Sequence, residues 1–269
     1  MKEIKWEEIK QIQLRLLDEV ARFCDENGIS YWLDAGTMLG AVRHKGYIPW
    51  DDDIDLGMLR PDYERFIRSF RPSDQSISVQ CIETDKKFCY PYAKILDHRT
   101  VLYEPDLSGK KSCVNIDLFV YDNAPDNENT IKRMFRRRDR LHLLEQTRYN
   151  SFTPSGNILR RLGVCCFRML LKFLPKNYFA KALLRNATRF ADQETKCIGS
   201  FLNYSNLICD KAAVDRRIEQ AFEGKTYKIP VGYDRWLRSA YGNYMEMPPK
   251  EQRKTHHQYI AFIKEEKDE

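Results

Sequence analysis

Apolar side chains recur every three to five positions at Ile4, Ile9, Ile12, Leu16, Val20 and Phe23, the spacing of one helix face, and predict a helix over residues 3 to 26. Asn27-Gly28 ends it. Ile29 to Leu33 has strand character and runs into Asp34-Ala35-Gly36-Thr37, after which Met38 to Arg43 suffices for one brief helix. Gly46-Tyr47-Ile48-Pro49 turns the chain into a strand over 53 to 59. Arg60-Pro61 then opens a helix through about Phe70, with proline where its missing N–H breaks no helical bond. Three β-prone runs follow, at Ile77 to Ile82, Tyr92 to Leu96 and Cys113 to Val120.

From Thr130 to Thr195 the pattern is helical, with helices near 130 to 148, 157 to 173 and 177 to 195 and a loop at Ser151 to Asn157 that holds Pro154 and Gly156. The tail predicts a strand at Thr226 to Ile229, a short helix over Tyr233 to Tyr241 and an irregular run from Tyr241 to Pro249. Taken alone, that run and the Arg253, His256 and His257 beyond it suggest a packed C-terminal cap. Interleaved strands and helices place the chain in the α/β (α+β) class. Three regions follow: a core over 1–125, a basic helical region over 126–200, and a segment over 201–269 that packs back on the core.

Composition changes this picture in two ways. With 269 residues, 42% hydrophobic, the chain can bury a large core, and its eight cysteines form neither a CxxC pair nor a Cys/His zinc spacing. Met1-Lys2-Glu3 leads directly into charged helix with no signal-peptide core, so free thiols and a cytoplasmic setting are expected. The net charge of +6 hides a strong asymmetry: residues 132 to 189 hold fifteen Lys or Arg against Asp139 and Glu145, leaving the remainder acidic. Such a block is either a solvated face or a surface for a polyanion or anionic membrane. No run approaches the roughly 18 apolar residues of a membrane span.

The chemistry concentrates between Asp34 and Gly57. Asp51, Asp53 and Asp55 alternate with Asp52 and Ile54, so an extended run projects the three odd-numbered carboxylates from one face and Asp52 from the other. Crowded carboxylates raise one another's pKa unless a cation neutralises them, and an all-oxygen set suits Mg2+ or Mn2+. The brief helix after Gly36-Thr37 offers N-terminal N–H groups to a phosphate. Asp117, inside the apolar run Val114 to Phe119, is either a further member of this site or an exposed strand-end acid. Together these groups suit metal-assisted transfer of a phosphoryl-type group.

The run Gly36-Thr37-Met38-Leu39-Gly40-Ala41-Val42-Arg43, then Ile48-Pro49-Trp50-Asp51-Asp52-Asp53-Ile54-Asp55-Leu56-Gly57, resembles the LicD family of phosphocholine transferases, which also includes the fukutin-related ribitol-phosphate transferases. Tyr92 to Ile95, Asn115 to Phe119, Tyr241 to Met245 with Pro248-Pro249, and Arg253 to His256 look like its later signatures. The resemblance implies a nucleotidyltransferase-like mixed sheet with flanking helices and a helical insertion. It implies that Gly36 and Thr37 form the phosphate turn, that Asp53, Asp55 and Asp117 are catalytic, and that these three with Asp51 hold Mg2+ or Mn2+. Asp117 is also a candidate acceptor for the hydroxyl proton. Arg43 and Lys94 either neutralise donor phosphates or are surface cations. The cysteine zinc cluster of the ribitol-phosphate branch is not evident.

The expected activity is transfer of phosphocholine, or a similar phospho-alcohol, from a CDP-activated donor to a hydroxyl of a glycan or lipid-linked glycan, at the inner face of the plasma membrane with peripheral contact to anionic lipid. The alternative is nucleotidyl transfer from an NTP to a small acceptor. Nucleic-acid binding through Arg136-Arg137-Arg138 is disfavoured, because the acidic cluster repels phosphate.

Overall fold

The computed structural model describes residues 1–104, 110–149, 158–203, 205–253, 255 and 260–264. Two long strands, β5 (Ala93–Glu104) and β6 (Lys110–Ala124), pair antiparallel and form the spine of a nine-stranded mixed sheet. On one side of β6 lies the parallel β3 (Asp55–Leu59), followed by β2 (Trp32–Leu33); on the far side of β5 come β11 (Ile260–Ile263) and β1 (Lys2–Ile4). β4 (Ile77–Gln80) also pairs with β5, while β7 (Cys197–Gly199) and β8 (Ile208–Asp210) extend from β6. β9 (Arg217–Phe222) and β10 (Lys225–Pro230) make a separate hairpin. This is the α/β architecture expected from the sequence.

The apolar periodicity of the first helix does its expected work. α1 (Trp6–Asn27) buries Leu16, Leu17, Val20 and Phe23, and closes at Gly28 in the left-handed conformation at φ 60°. Phe23 meets Phe66 and Phe70, at the end of α3 (Arg60–Ser69), edge to face at 5.9 and 5.2 Å. α1 and α3 pack on β6, whose odd-numbered residues, Asp117 and Tyr121 among them, look the opposite way. There Tyr121 joins Trp32 and Trp236, the last from α8 (Tyr233–Tyr241), with centroids 5.0 to 5.9 Å apart.

The helices predicted over 130–148 and 157–173 correspond to α4 (Glu128–Tyr149) and α5 (Ile158–Lys172), but the third, α6 (Tyr178–Ala187), stops well short of residue 195. The first predicted helix also begins later than expected, since Lys2 to Ile4 form β1. Five strands had no separate signal: β1, β7, β8, β9 and β11. Four of them have three or four residues, too few for an alternation to show. The predicted strands at 92–96 and 113–120 are pieces of longer ones, extended through Arg99 and Lys111 past an irregularity between Asp97 and Leu102. The loop predicted at 151–157 lies outside the described residues, as do His256 and His257. Among the described residues, no helix is long and apolar enough to cross a membrane.

Candidate active site

Three adjacent strands set one row of side chains. Asp55 of β3 lies beside Asp117 of β6, and Asp117 lies beside Lys94 of β5. Directly paired residues share a face, so the three groups line up across the sheet. Lys94 Nζ donates to Asp117 Oδ1 at 2.6 Å and to Asn115 Oδ1 at 3.0 Å, and lies over the rings of Tyr90 and Tyr92 at 5.0 and 5.7 Å. The cation is thus engaged by Asp117, the carboxylate beside it.

Upstream of β3 the expected alternation fails. The strand begins only at Asp55, and Asp51 N–H bonds back to the Ile48 carbonyl at 2.8 Å, a turn that breaks the period of two. Asp52 therefore does not turn away from the site: one carboxylate oxygen from each of Asp51, Asp52 and Asp53 lies within 4.8 Å of the other two. Burial first, then the charges of Asp53 and Asp52, push Asp51 up to about 7. Asp55 is driven well above the ordinary carboxylate range by desolvation and then by Asp53, Asp117, Asp34 and Asp51. These groups repel one another as they stand, and their oxygen-only donor set fits a hard divalent cation.

α2 (Ala35–His44) supplies the other half of the site. Asp34 caps it, accepting from Ala35 N–H at 2.8 Å, and Ala35 adopts a left-handed φ of 44°. At Gly36 a Cβ would stand 2.6 Å from Asp51 Oδ2, so a side chain there would push the Asp51 carboxylate away. Glycine lets that carboxylate lie against the first turn of the helix. Thr37 is buried, and its hydroxyl oxygen accepts from Asp55 N–H at 2.9 Å, fastening helix to carboxylate strand. Asp34 was passed over in the sequence. It is fully enclosed, accepts the Tyr121 hydroxyl at 2.6 Å, and is raised by burial to about 6. Its one sequence signal is an aspartate immediately before a helix.

The tail is a wall of the site. A cleft of about 480 Å³ runs between Gly36, Trp50 and Asp51 on one side and Tyr241, Tyr244 and Pro248 on the other. Arg43 holds that wall: its Nη1 donates to the carbonyls of Tyr244 and Glu246 at 2.7 and 3.2 Å. Arg253 donates to the Pro248 carbonyl at 2.9 Å and stacks over Trp50. The Tyr241 phenol, on a residue 44% exposed at the cleft, is pushed up by desolvation and then by the charges of Asp55, Asp34, Asp51 and Asp53. The tail by itself reads as a packed cap, and its described part does pack, with Tyr244 buried; Tyr241, Tyr244 and Pro248 also line the cleft.

Among the described residues of the basic block, Arg138 and Arg148 are turned inward. Arg138 is buried and donates to the Ser200 carbonyl and to Asn206 Oδ1, and Arg148 is buried against the carbonyls of Leu174 and Pro175. The Arg136-Arg137-Arg138 cluster is therefore not a continuous binding surface.

The family model described as LicD/FKTN/FKRP, nucleotidyltransferase domain, matches residues 28–147, a span that contains the carboxylate row, α2 and Lys94. The lipopolysaccharide cholinephosphotransferase LicD of Haemophilus influenzae is 30% identical over 271 residues, which covers 98% of this chain and 100% of that one. Two further relatives match in part. The human ribitol 5-phosphate transferase FKRP is 47% identical over 53 residues, 18% of this chain and 11% of that one. The mouse ribitol-5-phosphate transferase FKTN is 41% identical over 112 residues, 42% and 21% respectively. With a relative matched from end to end and the family's nucleotidyltransferase segment coinciding with the carboxylate site, this chain belongs to the LicD family of phospho-alcohol transferases.

Proposed function

We propose that this protein transfers phosphocholine, or a similar phospho-alcohol, from a CDP-activated donor to a hydroxyl of a cell-surface glycan precursor, a glycan or lipid-linked glycan met at the inner face of the plasma membrane. The observation that carries the reading is the clustering of Asp51, Asp52 and Asp53 beside the Lys94–Asp117–Asp55 row, with Asp51 lining the cleft walled by Tyr241 and Tyr244. Asp51, Asp53, Asp55 and Asp117 would hold Mg2+ or Mn2+, with Asp52 within reach. When bound, such a cation supplies charge neutralisation at the donor phosphates.

The remaining work falls to the chain itself. The first-turn N–H groups of Gly36 and Thr37 receive a donor phosphate at the positive end of α2. Arg43 keeps the tail wall in position, and the Tyr241 hydroxyl donates a hydrogen bond toward a donor phosphate. Asp117, held through Oδ1 by Lys94, accepts the proton of the attacking hydroxyl. The acceptor oxygen then bonds to the phosphorus that carries the alcohol, the bond from that phosphorus to the bridging oxygen breaks, and CMP leaves with its electrons.

Product analysis tests this. With CDP-choline, Mg2+ and a glycan acceptor, the expected products are phosphocholine-modified acceptor and CMP, with no pyrophosphate. The family's nucleotidyltransferase domain also suits NMP transfer. A strict need for an NTP, with pyrophosphate released, would establish that second reaction and overturn the first.

A further inference from the structure

α5 exposes an apolar stripe on the side away from the protein. At 3.6 residues per turn, Leu162, Cys166, Met169, Leu170 and the following Phe173 fall in one stripe about 100° wide. Leu162, Met169, Leu170 and Phe173 are 56, 61, 65 and 86% exposed. The opposite side, with Val164, Arg168 and Leu171, is the part half-buried or buried against the body. An ordinary surface helix has the reverse arrangement.

We infer that α5 is an interfacial helix that docks the protein on an anionic lipid surface, with this stripe set among the headgroups and acyl-chain ends. The inference goes beyond the transfer reaction and does not depend on it. Charge selects the occupant. The exposed cations Arg136, Arg137 and Arg140 lie on α4, which packs on α5; Lys172 and Lys181 lie on α5 and α6. The block from 132 to 189 holds two acids in all, Asp139 and Glu145. A second copy docked on the same face would set two such blocks against each other. An anionic bilayer neutralises the block and accepts the apolar stripe, the combination typical of helices that lie in the membrane plane.

Flotation of the full chain with phosphatidylglycerol–phosphatidylethanolamine vesicles tests this, with phosphatidylcholine vesicles as the uncharged control. The wild type is expected to float with the anionic vesicles, and Met169→Glu/Leu170→Glu/Phe173→Glu to lose at least about tenfold in partitioning while keeping its circular dichroism and melting temperature. Salt at about 0.5 M should weaken binding without abolishing it, because the apolar part is not screened. Phe173→Trp should keep binding, and brominated acyl chains should quench the new indole. Wild-type protein left in the soluble fraction, a triple variant that floats like wild type, or no quenching in Phe173→Trp would each overturn the inference. So would a wild-type dimer, seen by sedimentation equilibrium, that the triple variant turns into monomer, since the stripe would then belong to a second copy.

Discussion

Asp97 and Asp122 are almost fully enclosed, at 0 and 1% exposure, and arginines meet both. Arg60 holds Asp122 with two hydrogen bonds of 2.8 Å, while Asp97 pairs with Arg15 and, at 3.1 Å, with Arg99 Nε. At the cleft the fold does the opposite. Asp51 and Asp55 are pushed up by burial and then by neighbouring carboxylates, and Lys94, in the row with Asp55, is bonded to Asp117. Where an acid serves the architecture, the chain provides its counter-charge. Where acids are gathered beside a cleft, burial and mutual repulsion raise their pKa instead, which is the physical argument for the cation proposed there.

The largest effect that could break this contrast is chemical. Asp55→Asn is expected to lower the rate of CMP release by at least about a thousandfold with little change in melting temperature. Activity within a few-fold of wild type would remove Asp55 from the mechanism. On the architectural side, Arg60→Ala leaves Asp122 enclosed without its partner and should lose about 3–5 kcal/mol in urea unfolding. A loss below about 1 kcal/mol would show that the pair is not what supports Asp122.

Asp34 sharpens the comparison, because it is buried at the site yet bonded only to neutral donors. It binds its proton more tightly in the folded chain, at about 6, than at its ordinary 3.8. Its contribution to stability is therefore full below about pH 4 and declines as pH rises through 6. Asp34→Asn should flatten that slope and, above pH 7, be more stable by up to about 3 kcal/mol. An unchanged pH profile would contradict the burial argument. The smallest effect comes from cation addition: Mg2+ or Mn2+ at about a hundredfold above its Kd should stabilise wild type by about 2.7 kcal/mol. Asp53→Asn/Asp55→Asn should not respond, and equal stabilisation of that variant would place the cation elsewhere.

Much of this site was legible because its signals are local. The small-residue turn, the aspartate run and Asp117 in its apolar strand each lie within a few residues of sequence, and each sits at the cleft or in the row beside it. Asp52 was misplaced for an equally local reason: an alternation was extended into residues that a hydrogen bond to Ile48 bends out of register. Lys94 and Arg43 stood out as cations, but sequence spacing does not reveal partners 23 and 201 positions away.

By itself the sequence determined the helix α1, the strand–helix step around α2, the acidic run and the asymmetry of charge, because these depend on periodicity and on residues that are neighbours in the chain. Tertiary structure alone decided that Lys94, Asp117 and Asp55 share a row, that Asp34 is sealed beneath Tyr121, and that the tail closes the cleft. It also decided which face of α5 is left to solvent. The reason is common to all four: strand register and helix orientation are set by pairings between distant segments, whose energy depends on what each segment finds across from it.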